Sequence, residues 1–334
     1  MAGELTINRP SWTNRAVRFL GIAMALIGWT VCGAGAVLHG LVGDRWPVPW
    51  CFLYYALPRP VLCLIAATCL LVTPRSFPRL VRTARIVFTL TAAWVLASDV
   101  GWRLLSPSIA EPRLRIAFWN ACHLPRGREF AANVIRGFEA DLIGLVEAGG
   151  TGSAELAEWE RLLPDYHADS NRPGMLWLSR LPGGIAPVVH LGPGSDAVAL
   201  EFEFADRACR AVLVDISADF EVARVPVLVE LSRRLDEDWD DRPWLLLGDF
   251  NAPPESVGFS QLRQRSIPVF ATAGSGYAAT WPVPLPVLTL DQIWMPPDWQ
   301  AHTCRHLWTT CSDHRPVVAE LTIATTPHVA ETQR

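Results

Sequence analysis

Side chains that can bind a metal ion or transfer a proton follow several short apolar runs in the second half of the sequence. The runs Arg115–Trp119, Leu142–Val146 and Trp244–Leu247 are predicted to be β-strands because they are short and rich in aliphatic and aromatic residues. The polar residues at these and two later strand ends are Asn120, Glu147, Asp249, Asn251, Asp291, Asp313 and His314. Because ligands of α/β proteins gather beyond the carboxyl ends of strands, we expect these side chains at one rim of a domain.

The types of these side chains indicate the chemistry of that rim. Carboxylate and amide oxygens, without a cluster of cysteine or histidine, favour a hard cation such as Mg²⁺ or Mn²⁺. A hard cation polarises a phosphoryl oxygen, and a histidine oriented by a carboxylate moves protons, so the set predicts attack of water on a phosphoester. The structural alternative is that Asp249 and Asn251 only form an Asx turn. That alternative requires the other segments to align by chance.

An α/β domain is predicted from residue 113 onward, where short strands alternate with helical patterns. The further predicted strands are Met175–Leu178, Val198–Phe204, Ala211–Ile216, Leu288–Trp294 and Val317–Ile323. The predicted helices are Arg128–Phe138, Ser153–Leu163, Val227–Leu235 and Val257–Arg265.

The first 105 residues differ from the rest and predict membrane spans. Apolar stretches cover 19–42, 50–72 and 86–105, each about 20 residues, which is the length that a helix needs to cross the bilayer. A signal peptide is the alternative for the first stretch, but its apolar part is too long and two further stretches follow. The predicted organisation is a transmembrane region over 1–105, a linker over 106–112, the α/β domain over 113–324 and a disordered tail over 325–334.

The distribution of charge also separates the two halves. The chain has no lysine, and residues 1–110 carry 10 arginines against three acidic residues, whereas residues 111–334 carry 19 arginines against 30. The acidic second half is not expected to attract nucleic acid by bulk charge. Arginines cluster before the first apolar stretch and between the second and third, so both segments are expected to be cytoplasmic. The chain is then a multi-pass protein of the cytoplasmic membrane with an extracytoplasmic C-terminal domain.

The order and spacing of the polar residues resemble the endonuclease/exonuclease/phosphatase superfamily. The resemblance covers residues 113–323 and is carried by Gly248-Asp249-Phe250-Asn251 and Ser312-Asp313-His314, with Asn120, Glu147 and Asp291. Within the superfamily, the chain looks most similar to bacterial proteins with membrane spans before this domain, sometimes described as YafD-like. The resemblance implies a two-sheet sandwich flanked by helices, with the site at one edge. It also implies a membrane-anchored phosphodiesterase, nuclease or phosphatase that depends on Mg²⁺ or Mn²⁺.

The resemblance implies a metal site among these residues. Glu147 would bind the metal, helped by Asn120 and Asp313. The implied partners are a phosphoester substrate and a lipid bilayer, with no obligate protein partner. Because the domain is acidic and tethered, lipid or small-molecule phosphoesters are favoured over nucleic acid, although a nuclease stays open.

The resemblance also implies which groups carry out the reaction. Asp249 would orient or deprotonate the attacking water, and Asn251 would hold a phosphate oxygen. His314 would contact the scissile phosphate while Asp291 fixes its imidazole ring.

One position departs from the family pattern. Many members have a histidine near the end of the strand that precedes the Gly-Asp-Phe-Asn strand, where this chain has Asp215. An acidic side chain cannot replace a cationic imidazole, so the alternative function is a catalytically weakened phosphate- or lipid-binding module. His123 is a candidate for the missing donor. Separately, Cys304 and Cys311 could form a disulfide if the domain faces an oxidising compartment.

Overall fold

The computed structural model describes residues 12–103, 113–237 and 244–323. The described residues form two compact units. One contains the chain up to Val42 together with Ala56–Ser98, and the other contains Gly43–Tyr55 together with the chain from Asp99 onward. The predicted linker over 106–112 and the predicted tail over 325–334 lie outside the described residues.

The elements are as follows. The α-helices are α1 (Trp12–Val37), α2 (Phe52–Ala56), α3 (Arg59–Val72), α4 (Pro78–Ser98), α5 (Arg128–Arg136), α6 (Ser153–Leu162), α7 (Arg224–Glu237) and α8 (Val269–Ala273). The strands are β1 (Val100–Trp102), β2 (Leu114–Asn120), β3 (Leu142–Val146), β4 (His167–Arg172), β5 (Met175–Ser179), β6 (Gly183–Ile185), β7 (Val189–Gly192), β8 (Ser195–Phe204), β9 (Arg207–Asp215), β10 (Trp244–Asp249), β11 (Ile267–Pro268), β12 (Gly274–Tyr277), β13 (Asp291–Met295), β14 (Trp299–His306) and β15 (Val317–Ile323).

The first unit is built from the apolar helices α1, α3 and α4. A π-helical turn continues α1 to Val42, and by length and composition Arg15–Val42 and Pro78–Ser98 could each cross a membrane, whereas α3 is shorter. Helix α3 begins at Arg59 and not at the start of the predicted 50–72 stretch. Pro58 lies just outside the helix, and the residue before a proline avoids the helical conformation, so the helix does not extend further towards the N-terminus. Along α1, glycines spaced seven residues apart allow α3 to approach closely: a Cβ on Gly28 would lie 2.2 Å from the Cys69 Sγ.

The second unit confirms the expected sandwich of two sheets flanked by helices. Within the described residues, one sheet has eight strands in the order β1-β12-β14-β15-β2-β3-β5-β4, and the other has the order β11-β13-β10-β9-β8-β6, with β7 paired to β8. Between the sheets lies a buried core that includes Phe118 from the first sheet and Leu213 and Leu247 from the second. Helices α5 and α6 cover the outer face of the first sheet, and α7 covers the outer face of the second.

Several boundaries differ from the sequence-based expectations. The helix predicted over 86–105 ends at Ser98, and β1 follows at once as an edge strand that pairs with β12. The predicted helix Val257–Arg265 consists of two short 3₁₀ turns, because Gly258 and Ser260 favour helix weakly and the Ser256 side chain accepts from the Gly258 amide.

The possible disulfide between Cys304 and Cys311 does not form. Both thiols are free and buried. Cys304 lies in the core between the sheets, whereas Cys311 lies in the core under α5 and α6, on the other face of the same sheet. The sheet therefore separates the two sulfur atoms.

Candidate active site

A row of four aspartates crosses the second sheet. Asp196 on β8 is paired with Asp215 on β9, Asp215 with Asp249 on β10, and Asp249 with Asp291 on β13. Leu213, two residues before Asp215, faces the core between the sheets. Because side chains alternate along a strand, the four carboxylates face the same side, at the end of that core.

The first sheet contributes an amide and a carboxylate to the same place. Asn120 ends β2 and Glu147 directly follows β3, its parallel neighbour. The buried Asn120 side chain donates from Nδ2 to Glu147 Oε1 and to Asp249 Oδ2, both at 3.0 Å, and its Oδ1 accepts from the Cys122 amide. Asn120 therefore links the ends of the two sheets. Glu147 has a φ of +51°, a left-handed conformation that is uncommon for a residue other than glycine. This conformation changes the direction of the chain where β3 ends.

A histidine between two carboxylates forms the centre of the site. His314 Nδ1 lies 2.9 Å from Asp291 Oδ2 and 3.8 Å from Asp249 Oδ2. Potential metal-ligand atoms of Asp249, Asp291 and His314 all lie within 4.8 Å of one another. Burial alone would lower the pKa of His314, but the carboxylates of Asp291 and Asp249 outweigh it and raise that pKa to about 10. The imidazole is thus a cation at neutral pH, with Nε2 on the ring side away from Asp291.

Hydrogen bonds fix the loop that carries His314. Ser312 Oγ donates to the Asn120 carbonyl at 2.8 Å and accepts from the His314 amide at 2.9 Å. The guanidinium of Arg315, which is buried, donates to the carbonyls of Tyr277 and Ala279. These contacts tie the loop to both neighbouring segments, so the position of His314 is set by the backbone around it.

The two remaining predicted residues are also at the rim. The Asn251 amide donates to Asp249 Oδ1 at 2.9 Å, which is the Asx turn considered above, while Asn251 Nδ2 donates to the Ile216 carbonyl. Asp313 accepts from the indole Nε1 of Trp281 at 3.0 Å. The turn and the gathered site therefore exist together and are not alternatives.

A cavity of about 370 Å³ opens above these groups. The acidic, amide and imidazole side chains in its lining are those of Glu147, Asp249, Asn251, Asp313 and His314. Asn120 and Asp291 do not line the cavity and are buried behind it. All seven predicted residues are thus brought to one place, five at the surface of the cavity and two as supports.

The rest of the lining comes from segments without a polar residue at a predicted strand end. It includes Phe52 and Tyr55 from the Gly43–Tyr55 segment, Phe220 from the turn before α7, Arg224 from the start of α7, and Trp281, Leu288 and Leu290 from the segment before β13. Phe52 and Tyr55 belong to an apolar stretch that reads as the beginning of a membrane span, so no local signal marked them. His123 is not part of the lining: its side chain is 79% exposed, with Nε2 at 3.3 Å from Glu147 Oε2.

The charges around the cavity favour a bound cation. Burial raises the pKa of Asp215 to about 8, and the carboxylates of Asp249 and Glu147 add to the shift. Burial also raises the pKa of Asp249, against the opposing effect of His314. The carboxyl groups at the rim also outnumber the cationic side chains of His314 and Arg224, and a divalent cation among carboxylate oxygens would offset their charge.

Comparisons with known proteins agree with this geometry. The profile described as "Endonuclease/Exonuclease/phosphatase family" matches residues 117–314. A protein of that family from Bacteroides thetaiotaomicron has a similar structure, with a TM-score of 0.53 at 14% identity over 63% of this chain and 97% of the other. A mannosyl-6-phosphatase from the same organism gives 0.52 at 14% identity, covering 63% and 99%. D. rerio TDP2 complexed with a single-strand DNA product gives 0.52 at 12% identity, covering 64% and 100%. Among curated proteins, none matches this chain significantly.

Proposed function

Because the chain belongs to the endonuclease/exonuclease/phosphatase family, whose profile matches more than half of it, we propose that it is a metal-dependent phosphoester hydrolase anchored to a membrane. The observation that carries the proposal is the convergence of Asp249, Asp291 and His314 with the Asn120–Glu147 pair at one cavity. Structural relatives include a protein named as a phosphatase and a TDP2 bound to a DNA product, so the same fold serves different phosphoesters.

Different residues of the chain have different roles in the proposed hydrolysis. The Asp249 carboxylate orients the attacking water and accepts its proton, and its raised pKa makes it a stronger base than an exposed aspartate. The water oxygen then bonds to phosphorus, the bond from phosphorus to the leaving oxygen breaks, and water protonates that oxygen. His314, held cationic by Asp291, stabilises the charge on the phosphoryl oxygens, and Asn251 holds one of them.

Glu147 and Asp313 would hold the metal ion. Both line the cavity, and their oxygen atoms suit Mg²⁺ or Mn²⁺. Asn120 supports this site by orienting Glu147 through its amide group. When bound, the ion would supply Lewis-acid polarisation of the phosphoester and stabilise the leaving group.

Membrane attachment is proposed from the first unit. Its helices leave large apolar side chains in contact with solvent, including Phe19 at 76% and Leu71 at 85% exposure, which is costly in water and favourable in lipid. Residues Gly43–Tyr55 and the chain from Asp99 fold as one unit, so both must lie on the same side of a membrane. Between them, the chain must then cross an even number of times. This condition is satisfied if α1, α3 and α4 each cross the membrane and the α/β domain is extracytoplasmic. The same arrangement keeps the arginine-rich segments on the cytoplasmic side.

A periplasmic-active phosphatase reporter fused after residue 334 tests the orientation. We expect activity from this fusion and none from a reporter that works only in the cytoplasm. The opposite result would place the α/β domain inside the cell.

Hydrolysis of bis-p-nitrophenyl phosphate by the full-length protein in nanodiscs tests the activity. We expect turnover with Mg²⁺ or Mn²⁺, loss in EDTA, and at least about a 100-fold fall in kcat for Asp249→Ala. Asp298→Ala, which removes an exposed carboxylate on the turn before β14, is the matched control and should keep wild-type turnover. Turnover that survives both EDTA and Asp249→Ala would contradict the proposal.

The second candidate is a phosphate- or lipid-binding module without turnover. The position of Asp215 favours it, because this side chain adjoins Asp249 on the inner face and cannot supply the positive charge that a cationic imidazole would give to a bound phosphate. This candidate predicts Mg²⁺-dependent binding of phosphoesters by calorimetry with no hydrolysis of any ester. Hydrolysis that depends on Asp249 would exclude it.

A further inference from the structure

An aromatic wall, formed by Phe52, Tyr55 and Phe220, borders the cavity next to the polar rim. The rings of Phe52 and Phe220 meet edge to face with centroids 4.9 Å apart, and Tyr55 lies beside Phe52 at 5.9 Å. Phe220 is nevertheless 73% exposed. An aromatic ring that is held in place and still exposed beside a cavity is available to contact a ligand.

The wall is firmly attached to the α/β domain. Asp44, which is 2% exposed, accepts from the Tyr55 hydroxyl at 2.6 Å, from Ser256 Oγ at 2.5 Å and from the Val257 amide at 3.0 Å. Ser256 follows the Gly248–Asn251 motif closely in sequence. The Gly43–Tyr55 segment is therefore fixed to the loop that carries part of the polar rim.

Arg224 supports the wall from below. Its guanidinium carbon lies 4.8 Å from the centroid of Phe52, a cation–π contact. Its Nη1 donates to the carbonyls of Asp219 and Val222, both at 2.7 Å, and so holds the turn that presents Phe220. One buried cation thus positions both phenylalanines.

The hydroxyl group of the wall and the indole N–H beside it already have partners within the protein. The Tyr55 hydroxyl donates to Asp44, and the Trp281 indole donates to Asp313. Leu288 and Leu290 complete this side of the lining. Beyond the polar rim and the Arg224 guanidinium, the described lining therefore presents mostly carbon, and a sugar or base packed on it would lose hydrogen bonds to water without replacing them.

Resting on the proposed phosphoester hydrolysis, we propose that the substrate is amphiphilic, a phosphoester with a hydrocarbon chain next to its phosphate. The polar rim binds the phosphate, and the aromatic wall packs against the first methylene groups of the chain. The sequence position of the wall fits such a ligand, because the Gly43–Tyr55 segment directly follows the candidate span Arg15–Val42. A lipid phosphoester presents this combination of an anionic group and a hydrocarbon chain.

A series of 4-nitrophenyl phosphodiesters with methyl, hexyl and dodecyl groups tests the proposal in full-length protein in nanodiscs. Each methylene removed from water favours binding, so kcat/KM should rise about tenfold or more from methyl to hexyl. Phe52→Ala and Phe220→Ala should each lower the dodecyl-to-methyl ratio of kcat/KM by about fivefold or more. Phe130→Ala, an exposed phenylalanine on α5 outside the lining, is the control and should keep the wild-type ratio. Comparing ratios in identical nanodiscs cancels partitioning of the esters into lipid.

The outcomes separate this inference from the proposed function. If the esters are hydrolysed but kcat/KM does not change with chain length, the inference is wrong and the proposed hydrolase function stands. Faster turnover of thymidine 5′-(4-nitrophenyl) phosphate than of the dodecyl ester would have the same meaning. If no ester is hydrolysed, calorimetry with methylphosphonate and dodecylphosphonate decides. Tighter binding of dodecylphosphonate that is weakened in Phe52→Ala supports the amphiphilic ligand and refutes only hydrolysis, whereas equal binding of the two overturns the inference.

Discussion

Replacing Asp44 should loosen the Gly43–Tyr55 segment and destabilise the α/β domain. Asp44→Ala removes one buried acceptor and leaves the donors of Tyr55, Ser256 and Val257 without it. A buried donor left unpaired costs about 1–3 kcal/mol, and the two hydroxyl groups can rotate towards other partners, so the sum is about 3 kcal/mol. For a domain of this size, that corresponds to a fall in Tm of about 6–12 °C.

Thermal unfolding and hydrogen exchange followed by mass spectrometry measure this effect together. We expect Asp44→Ala to lower Tm and to speed exchange within 43–55 and around Val257, while the amides of β10 keep their protection below the transition. Asp44→Asn retains one acceptor oxygen and should lose less, and Asp298→Ala should stay within about 0.5 kcal/mol of the wild type. An Asp44→Ala protein with unchanged Tm and unchanged exchange in 43–55 would show that the segment is not anchored by this carboxylate.

Three further perturbations test the site and its surroundings. Asp291→Asn keeps the shape of the partner of His314 but removes its charge, so kcat should fall at least about 100-fold, and a fall below threefold would contradict the role of Asp291. Trp281→Phe removes the donor to Asp313, so the Mg²⁺ concentration for half-maximal activity should rise about tenfold, whereas an unchanged titration would leave Asp313 without a part in metal binding. Burial, with Arg315 adding to it, lowers the pKa of His306 to about 3. The unfolded chain therefore binds a proton that the folded chain excludes, and stability is lost as pH falls from about 6.5 to 3. His306→Gln should show a smaller loss of Tm over that range, and an equal loss would mean that His306 takes up its proton in the folded state.

Local sequence signals were sufficient to predict the polar part of the site. Asp249 and Asn251 follow a buried apolar run, and Asp313 and His314 precede another, so strand ends and residue types together indicated one rim. The register could not be predicted in this way. The pairing of Asp215 with Asp249 and of Asp249 with Asp291 depends on strands far apart in sequence, and only the folded sheet shows that the carboxylates form one row.

The aromatic wall could not be predicted from the sequence, for a different physical reason. Hydropathy cannot distinguish apolar residues that face lipid from apolar residues that pack on a domain, so Phe52 and Tyr55 were included in the predicted span over 50–72. The proline at 58 indicated a break but not what lay before it. Asp44 was equally uninformative, since a lone carboxylate between apolar stretches is typical of an exposed loop, whereas here it is buried and accepts three hydrogen bonds.

The second unit combines segments that are far apart in the sequence. Strand β1 follows α4 without a linker, and the Gly43–Tyr55 segment lies between α1 and α3 in sequence, so the α/β domain includes two segments from the predicted transmembrane region. A fragment that begins at residue 107 would lack the edge strand and two residues of the aromatic wall, Phe52 and Tyr55, while it keeps Phe220 and every predicted site residue. Such a fragment could retain chemistry on small esters only if the remaining strands fold without β1, and it would have lost most of the surface that we propose binds the hydrocarbon chain. Phe52 and Tyr55 therefore come from a different part of the sequence than the polar rim, and the proposed selectivity for an amphiphilic substrate depends on the segment between α1 and α3.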